Sequence, residues 1–467
     1  MPERRDRELV ELLRHVQRFR EADRARCAVA PSPELDVKIK AALDSLRGQA
    51  DDLLSPRLGL RLEPQILGYN DGLIVPPDEY PVGTPVDVMR NAAAARAPLR
   101  GTVRVVVVLV EFSDKAITRT ADHFRELFFS TGVIPTGSVR EYYDEVTNGL
   151  VTIEGEVVGP YTLPLTLAQY AHGESGIGDP LPNASTMARD AALASDPDVD
   201  FTPYDNDGNG FVDAFIVVHA GSGAEQTGSN GDIWSHKWNT QGGALGVDGT
   251  KIFGYLTVPE DALLGVCAHE LGHLLYGWLD YYDTDGSSEG LGNWCLMASG
   301  SWNAGGSTPA HPSAFLKIDQ GWITATNRTT DGPATFVDVK EGFDAMRLWK
   351  DGTGGSEYFL VENRQRSGFD TRLPAGGLLI WHIDESVPDN RDETHYRVTL
   401  VQADGRKDLE GNVNRGDAGD PFPGSTGNAS FTASTTPDSR SHAGVDTSVA
   451  VTDITVTGPT VTANVRV

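Results

Sequence analysis

The chain has 467 residues, enough for two or three domains with a sizeable core. Its 39 basic residues against 66 acidic ones leave a net charge of −27, which repels nucleic acid and anionic membranes, so neither is expected as a partner. No run of about twenty apolar residues occurs, so no spanning helix is expected, and three cysteines are too few for a disulfide scaffold or a cysteine-type zinc module.

Residues 1–55 read as amphipathic helices. Leu9, Leu12, Leu13, Val16 and Phe19 fall at helical spacing, and Leu35, Val37, Ile39, Leu43 and Leu46 repeat it after a break at Pro31-Ser32-Pro33. The first 26 residues are full of Arg and Glu with no apolar stretch, so no signal peptide is read there. Residues 56–98, rich in Pro, Gly, Asp and then Ala, suit an extended segment or linker, and a domain boundary is expected near residue 99.

Beyond that boundary, 103–112 reads as a buried strand, 127–129 and 138–146 as helices, 150–158 as an alternating strand and 215–219 as another buried strand. Pro259-Glu260-Asp261 reads as a helix start, with proline in the first turn and acids at the positive end of the dipole. Leu263, Leu264, Val266, Leu271, Leu274 and Leu275 give that helix an apolar face, and Gly277 offers its stop. On it stands His269-Glu270-x-x-His273. Residues four apart share a helix face, so the two imidazoles can grip one metal ion while Glu270 accepts the proton of a water that the metal activates. Asp280 follows directly and can swing back as a third ligand.

Three further constellations carry oxygen or sulfur ligands. The loop 205–213 places Asp205, Asp207 and Asn209 at positions 1, 3 and 5, glycines at the turn and Asp213 at position 9, a pattern that surrounds calcium. It lacks the terminal Glu of a full EF-hand. Asp283 and Asp285, with Glu289, form a second acidic turn, and residues 416–420 a third. Cys267 and Cys295 either form a bridge from the metal helix to the loop after it or remain buried thiols. His219, His236, His311, His382 and His395 read as structural, although His382 lies in an apolar run near Glu385. From residue 331, short runs rich in Val, Ile, Thr and aromatics at 335–339, 358–362, 377–383, 396–402 and 449–467 suggest a mostly β, sandwich-like domain.

Taken together, Asn70-Asp71-Gly72-Leu73-Ile74-Val75-Pro76-Pro77, Val107-Val108-Leu109-Val110-Glu111-Phe112, Val139-Arg140-Glu141-Tyr142-Tyr143, Ile233-Trp234-Ser235-His236, the metal segment, Tyr358-Phe359-Leu360-Val361-Glu362-Asn363-Arg364 and Leu379-Ile380-Trp381-His382-Ile383-Asp384 resemble the immune inhibitor A-like metallopeptidases, secreted bacterial zinc proteases similar to the metzincins. That family's motif is His-Glu-x-x-His-x-x-Gly-x-x-Asp. Here Tyr276 stands where glycine is expected, Gly277 follows, and the motif is one residue longer; Asp280 remains the expected third ligand, with Asp283 or the more distant Glu362 in contention. The resemblance implies an α+β chain with a helical leader or propeptide over 1–98, a metzincin-like catalytic domain over 99–330 and the β domain over 331–467. It implies a methionine turn at Met297, beneath the metal, and a latent precursor in which Cys27 could hold the zinc through its thiolate. The expected function is a secreted, monomeric zinc endopeptidase acting on proteins or peptides, with calcium as a second cofactor. The alternative is a secreted calcium-dependent binding protein whose zinc site is vestigial.

Overall fold

A computed structural model describes residues 27–45, 98–178, 180–284 and 286–467. The helix expected over the first 26 residues and nearly all of the expected linker lie outside the described residues. The chain divides into two compact units, the first formed by residues up to 140 with 153–279, the second by 141–152 with 280–467.

The first unit opens with helix α1 (Pro33–Ser45). It buries Leu35 and Ile39, spaced one turn apart, while Val37 faces solvent at 66 % exposure, so the apolar stripe is narrower than the sequence suggested. Strand β1 (Gly101–Glu111), helix α2 (Ala121–Phe129), strand β2 (Val151–Thr162), helix α4 (Ala184–Ser195) and strand β3 (Phe215–His219) follow, while helix α3 (Val139–Val146), between α2 and β2 in the chain, belongs mostly to the second unit. After these come helix α5 (Ala224–Thr227), β4 (His236–Asn239), a hairpin of β5 (Leu245–Val247) and β6 (Thr250–Ile252), β7 (Gly254–Pro259) and helix α6 (Leu264–Tyr276). Five strands form one sheet in the order β2-β1-β3-β7-β4. β1, β3 and β7 run parallel, and β4 closes that edge antiparallel to β7.

The run of β-branched residues in β1 explains its central place. Val105 to Val110 have no exposed surface, as expected of a parallel strand covered on both faces. Each such side chain stabilises by about 1.5–3 kcal/mol relative to exposure. Val106, Val108 and Val110 share their core with Phe215 and Val217 of β3 and with Met187, Ala188, Ala191 and Ala192 of α4. The small residues of α4 let the helix lie close to the sheet. Its start is fixed by a reciprocal cap, in which Asn183 Oδ1 accepts from Ser185 N at 3.0 Å and Thr186 N at 3.4 Å, and Thr186 Oγ1 accepts from Asn183 N at 3.2 Å.

The metal helix begins later than the sequence suggests. Pro259 is the last residue of β7, opposite His219 of β3, where its missing N–H costs no ladder bond. Glu260 does not face a helix dipole. Its carboxylate accepts from Thr118 N at 2.5 Å, Thr118 Oγ1 at 2.6 Å, Arg119 N at 3.0 Å and Gly221 N at 2.8 Å, tying three loops together. These hydrogen bonds offset the cost of burial and hold Glu260 below the usual carboxylate range. α6 starts at Leu264 and packs against β7 and β4.

In the second unit, helix α7 (Ala314–Asp319) precedes β8 (Thr324–Asn327), β9 (Gly332–Phe336), β10 (Asp344–Leu348), β11 (Glu357–Arg364), β12 (Gly377–Asp384), β13 (Val398–Leu400), β14 (Ala450–Thr457) and β15 (Thr460–Arg466). One sheet has the order β13-β12-β11-β10-β8 and another β14-β15-β9. Leu348, Phe359, Val361, Leu378 and Ile380 of the first meet Phe336, Val451, Val461 and Val465 of the second in one core. No disulfide joins the cysteines; Cys267 and Cys295 are reduced and buried, and burial pushes both thiols up, Cys295 to about 11. Among the described residues, no helix is long and apolar enough to cross a membrane.

Candidate metal centre

His269, Glu270 and His273 all lie on α6 with no exposed surface. The helix ends where its sequence says it should. Gly277 takes the left-handed conformation (φ 66°), and its N–H is donated back to His273 O at 3.1 Å. This reversal brings the Trp278 carbonyl to His273 Nδ1 at 2.5 Å. Nδ1 must then carry the proton, which leaves the Nε2 lone pair of His273 available.

That lone pair faces the other imidazole. His273 Nε2 and His269 Nε2 are 3.0 Å apart, with ring planes at 83°. Two nitrogens bound to one tetrahedral zinc at 2.0–2.1 Å would stand about 3.3 Å apart. Two buried imidazoles converging on one point to within a few tenths of an ångström of that spacing suit a shared cation. Glu270, one position on from His269 and equally buried, supplies the carboxylate. The residues of α6 therefore fit the metal that their spacing implies.

Cys27 is drawn to the same place from far away in sequence. Its sulfur lies within 4.8 Å of a ring nitrogen of His273. It is 5 % exposed and has a positive φ of 39°, a conformation that a side chain other than glycine rarely adopts.

The remaining candidates belong to the second unit or to loops. Asp280 is the first residue of the second unit and is 9 % exposed. Asp283 Oδ2 accepts from Ser287 Oγ at 2.8 Å and Ser288 Oγ at 2.9 Å, while Asp285 lies outside the described residues. Glu362 is committed to an ion network: its Oε1 accepts from Trp381 Nε1 at 3.0 Å, and Lys317 Nζ is 3.8 Å from its Oε2. Met297 is fully buried, and its carbonyl accepts from Tyr281 N at 2.6 Å, which fixes the turn against the chain just after Asp280.

In the 205–213 loop, ligand oxygens of Asp205, Asp207 and Asp213 lie within 4.8 Å of one another. Backbone amides hold them: Asn209 N donates to Asp205 Oδ1 at 2.9 Å, Gly210 N to Asp205 Oδ2 at 2.9 Å, and Asn206 N to Asp213 Oδ2 at 2.6 Å. Asn209 Oδ1 accepts from Phe211 N at 2.8 Å, and its Nδ2 donates to Asp207 Oδ2 at 3.1 Å. Burial, with Asp207 and Asp205 close by, pushes Asp213 up to about 7 although Asn206 donates to it. A bound cation would lower it again.

Sequence reasoning missed a cluster in the second unit. His382 Nε2 meets Glu357 Oε1 at 2.9 Å, His395 Nε2 meets Asp384 Oδ2 at 2.9 Å, and His442 stacks between the two rings at 4.1 and 3.9 Å. Burial and the two flanking imidazoles push His442 down to about 4. Only the pairing of β11 with β12 could have brought Glu357 to His382, and nothing in the sequence near His442 announces it. His236 and His311 make hydrogen bonds within the fold. His236 bonds Trp234 O at 2.7 Å and Tyr255 Oη at 2.9 Å, and His311 bonds Glu145 at 2.8 Å.

Comparison with known proteins gives a consistent picture. Residues 94–328 match the family model described as immune inhibitor A peptidase M6, catalytic domain. The chain is 33 % identical over 237 residues to a protein named pre-pro-metalloprotease PrtV from Vibrio cholerae serotype O1, which covers 42 % of this chain and 25 % of that one. It is 34 % identical over 219 residues to one named immune inhibitor A from Bacillus thuringiensis subsp. alesti, covering 40 % of this chain and 32 % of that one. The match thus spans about a quarter to a third of the length of these relatives.

Proposed function

Since the chain belongs to the immune inhibitor A peptidase M6 family, we propose that it is a zinc-dependent endopeptidase that hydrolyses peptide bonds of protein substrates. The observation that carries this reading is the 3.0 Å approach of His269 Nε2 to His273 Nε2, with Glu270 buried beside them. His269, His273 and Asp280 would hold zinc. Asp280 is favoured because it follows the Gly277 reversal directly and is buried, whereas Asp283 is engaged by two serine hydroxyls and Glu362 by Trp381 and Lys317. Zinc in such a site supplies a Lewis acid for the scissile carbonyl and makes water acidic enough to react near pH 7.

The chain's own groups do the rest. Glu270 accepts the proton of the attacking water and delivers it to the leaving amine. The Trp278 carbonyl holds His273 in the tautomer that presents Nε2. The 94–328 match supports a catalytic region over 99–330 of metzincin-like fold, with Met297 as its methionine turn. Calcium at Asp205, Asp207, Asn209 and Asp213 would neutralise a loop that brings three carboxylates together; the Asp283–Asp285 turn is a weaker second site. The pre-pro designation of the Vibrio cholerae relative supports a secreted protein made as a precursor.

The rival reading, a calcium-dependent binding protein with a vestigial zinc site, is disfavoured by the intact Glu270. One experiment separates the two. The protein is stripped with a chelator and resupplied with zinc or calcium separately, after removal or modification of Cys27. Casein hydrolysis is expected to return with zinc and not with calcium, while calcium alone raises the melting temperature. Calcium-dependent stabilisation with no zinc-dependent hydrolysis would favour the binding protein.

A further inference from the structure

Pairing of β11 with β12 in the second unit sets Phe359 opposite His382. Alternate residues of a strand share a face, so Glu357 flanks His382 from the same side. His382 Nε2 meets Glu357 Oε1 at 2.9 Å, and its ring lies on Phe359 with centroids 4.4 Å apart. The segment before β14 returns over this face. There His442 N donates to Glu357 Oε1 at 2.7 Å, and the His442 ring stacks on His382 with planes 12° apart. His395 covers the other face of His442, its own Nε2 spent on Asp384 Oδ2. Asp384 is held in turn, its Oδ1 accepting from Ser386 N at 2.9 Å. Phe359, His382, His442 and His395 thus form one column of rings.

Two features of this column exceed what packing needs. A ligand atom from each of Glu357, His382 and His442 lies within 4.8 Å of the other two. Nitrogens on one tetrahedral zinc stand about 3.3 Å apart, so modest side-chain rotations bring all three onto one ion. His442 Nε2, moreover, is buried and meets no hydrogen-bond partner. A buried polar nitrogen that has given up its hydration calls for a partner, and a bound ion is one. Two imidazoles with one carboxylate suit zinc and its transition-metal neighbours, whereas calcium takes oxygen ligands and gains nothing from the rings.

We propose that Glu357, His382 and His442 form a second divalent-metal site, of the zinc class, that clips the chain around His442 onto β11 and β12. The ion takes the place of the proton between His382 Nε2 and Glu357 Oε1, and that proton leaves to solvent. His442 gives its Nε2 lone pair, and the fourth position is left to solvent. His395 and Asp384 back the His442 ring and do not touch the ion. The site is structural: its three ligands come from β11, β12 and the return before β14, which the ion cross-links.

The test uses the full chain with the α6 imidazoles removed (His269→Ala/His273→Ala), stripped of metal and titrated with zinc by calorimetry. About one zinc per chain is expected to bind with release of a proton, to raise the melting temperature, and to resist displacement by excess calcium. Adding His442→Gln or Glu357→Gln should weaken zinc binding at least about tenfold, with circular dichroism unchanged. A folded double variant that binds no zinc, or zinc binding unaltered by both added substitutions, overturns the proposal. Should the double variant not fold, wild type is compared with Glu357→Gln. Loss of about one zinc per chain supports the site, and equal zinc content overturns it. That comparison leaves the α6 ligands untouched, so its failure leaves the catalytic zinc reading standing.

Discussion

Glu270→Gln is expected to slow peptide hydrolysis by about 10²–10⁴-fold, the range general acid–base catalysis contributes, with zinc content unchanged. The substitution keeps shape and volume inside a helix whose residue 270 has no exposed surface, so packing is preserved. It removes the only property the mechanism asks of this residue, a carboxylate that accepts a proton from water and returns one to the departing amine. Metal content is measured on each sample, so that the comparison is made at equal zinc. Unchanged hydrolysis by a zinc-replete Glu270→Gln protein would remove Glu270 from the mechanism.

The second large effect is on stability, and it arises where the second unit buries an ion network. Arg364, Glu362 and Asp370 have no exposed surface. Arg364 Nε donates to Asp370 Oδ2 at 2.7 Å, and Arg364 Nη2 contacts Asp370 Oδ1. His311 N donates to Asp370 Oδ1 at 3.0 Å, and Lys340 Nζ lies 3.5 Å from Asp370 Oδ2. Burial alone would raise the Asp370 carboxyl, but Arg364, His311 and Lys340 outweigh it and hold it far below the carboxylate range. Burial is also what pushes the neighbouring Lys317 down to about 8, against the pull of Glu362.

Asp370→Ala leaves the buried Arg364 charge with the longer Glu362 contact at 3.5 Å and is expected to cost about 3–5 kcal/mol, a large share of the 5–15 kcal/mol available to a domain. The change can be read from denaturant midpoints by tryptophan fluorescence, because Trp294 and Trp381 contact Arg364 and Glu362. The sign with pH is fixed. A carboxyl lowered on folding contributes stability above its unfolded pKa of about 4 and loses it as pH falls toward the folded value. The gap between wild type and Asp370→Ala should therefore be full at pH 7 and shrink only in strong acid. A shift below about 1 kcal/mol at pH 7 would place the network among those that contribute little.

What the sequence made legible is what local periodicity encodes. His269, Glu270 and His273 needed only the helical repeat to be placed on one turn, and Gly277 only its tolerance of positive φ to be read as the stop. The fully buried strands β1 and β3 were visible as unbroken β-branched runs. Pro259 misled because proline suits both a helix start and a strand end, and only the pairing of β7 with β3 decides between them. Sequence separation could not decide between a Cys267–Cys295 bridge and two buried thiols, because it carries no information on Cβ geometry. The Arg364 network and the His382–His442–His395 stack were invisible, since their members meet through strand pairing and loop return rather than spacing. Cys27 could be suspected from the sequence as a thiol in a leader, but its approach to His273 depends on the β4 edge.

The central claim is that the paired imidazoles of α6 hold a catalytic zinc. It is tested most directly by metal analysis combined with zinc-edge X-ray absorption on the full chain, as wild type and as the His269→Ala/His273→Ala double variant. The account predicts that about one zinc per chain, with imidazole nitrogen in its coordination shell at 2.0–2.1 Å, is lost in the variant while secondary structure persists. A folded wild type that binds no zinc, or a double variant that keeps all of its zinc with an unchanged spectrum, would contradict it.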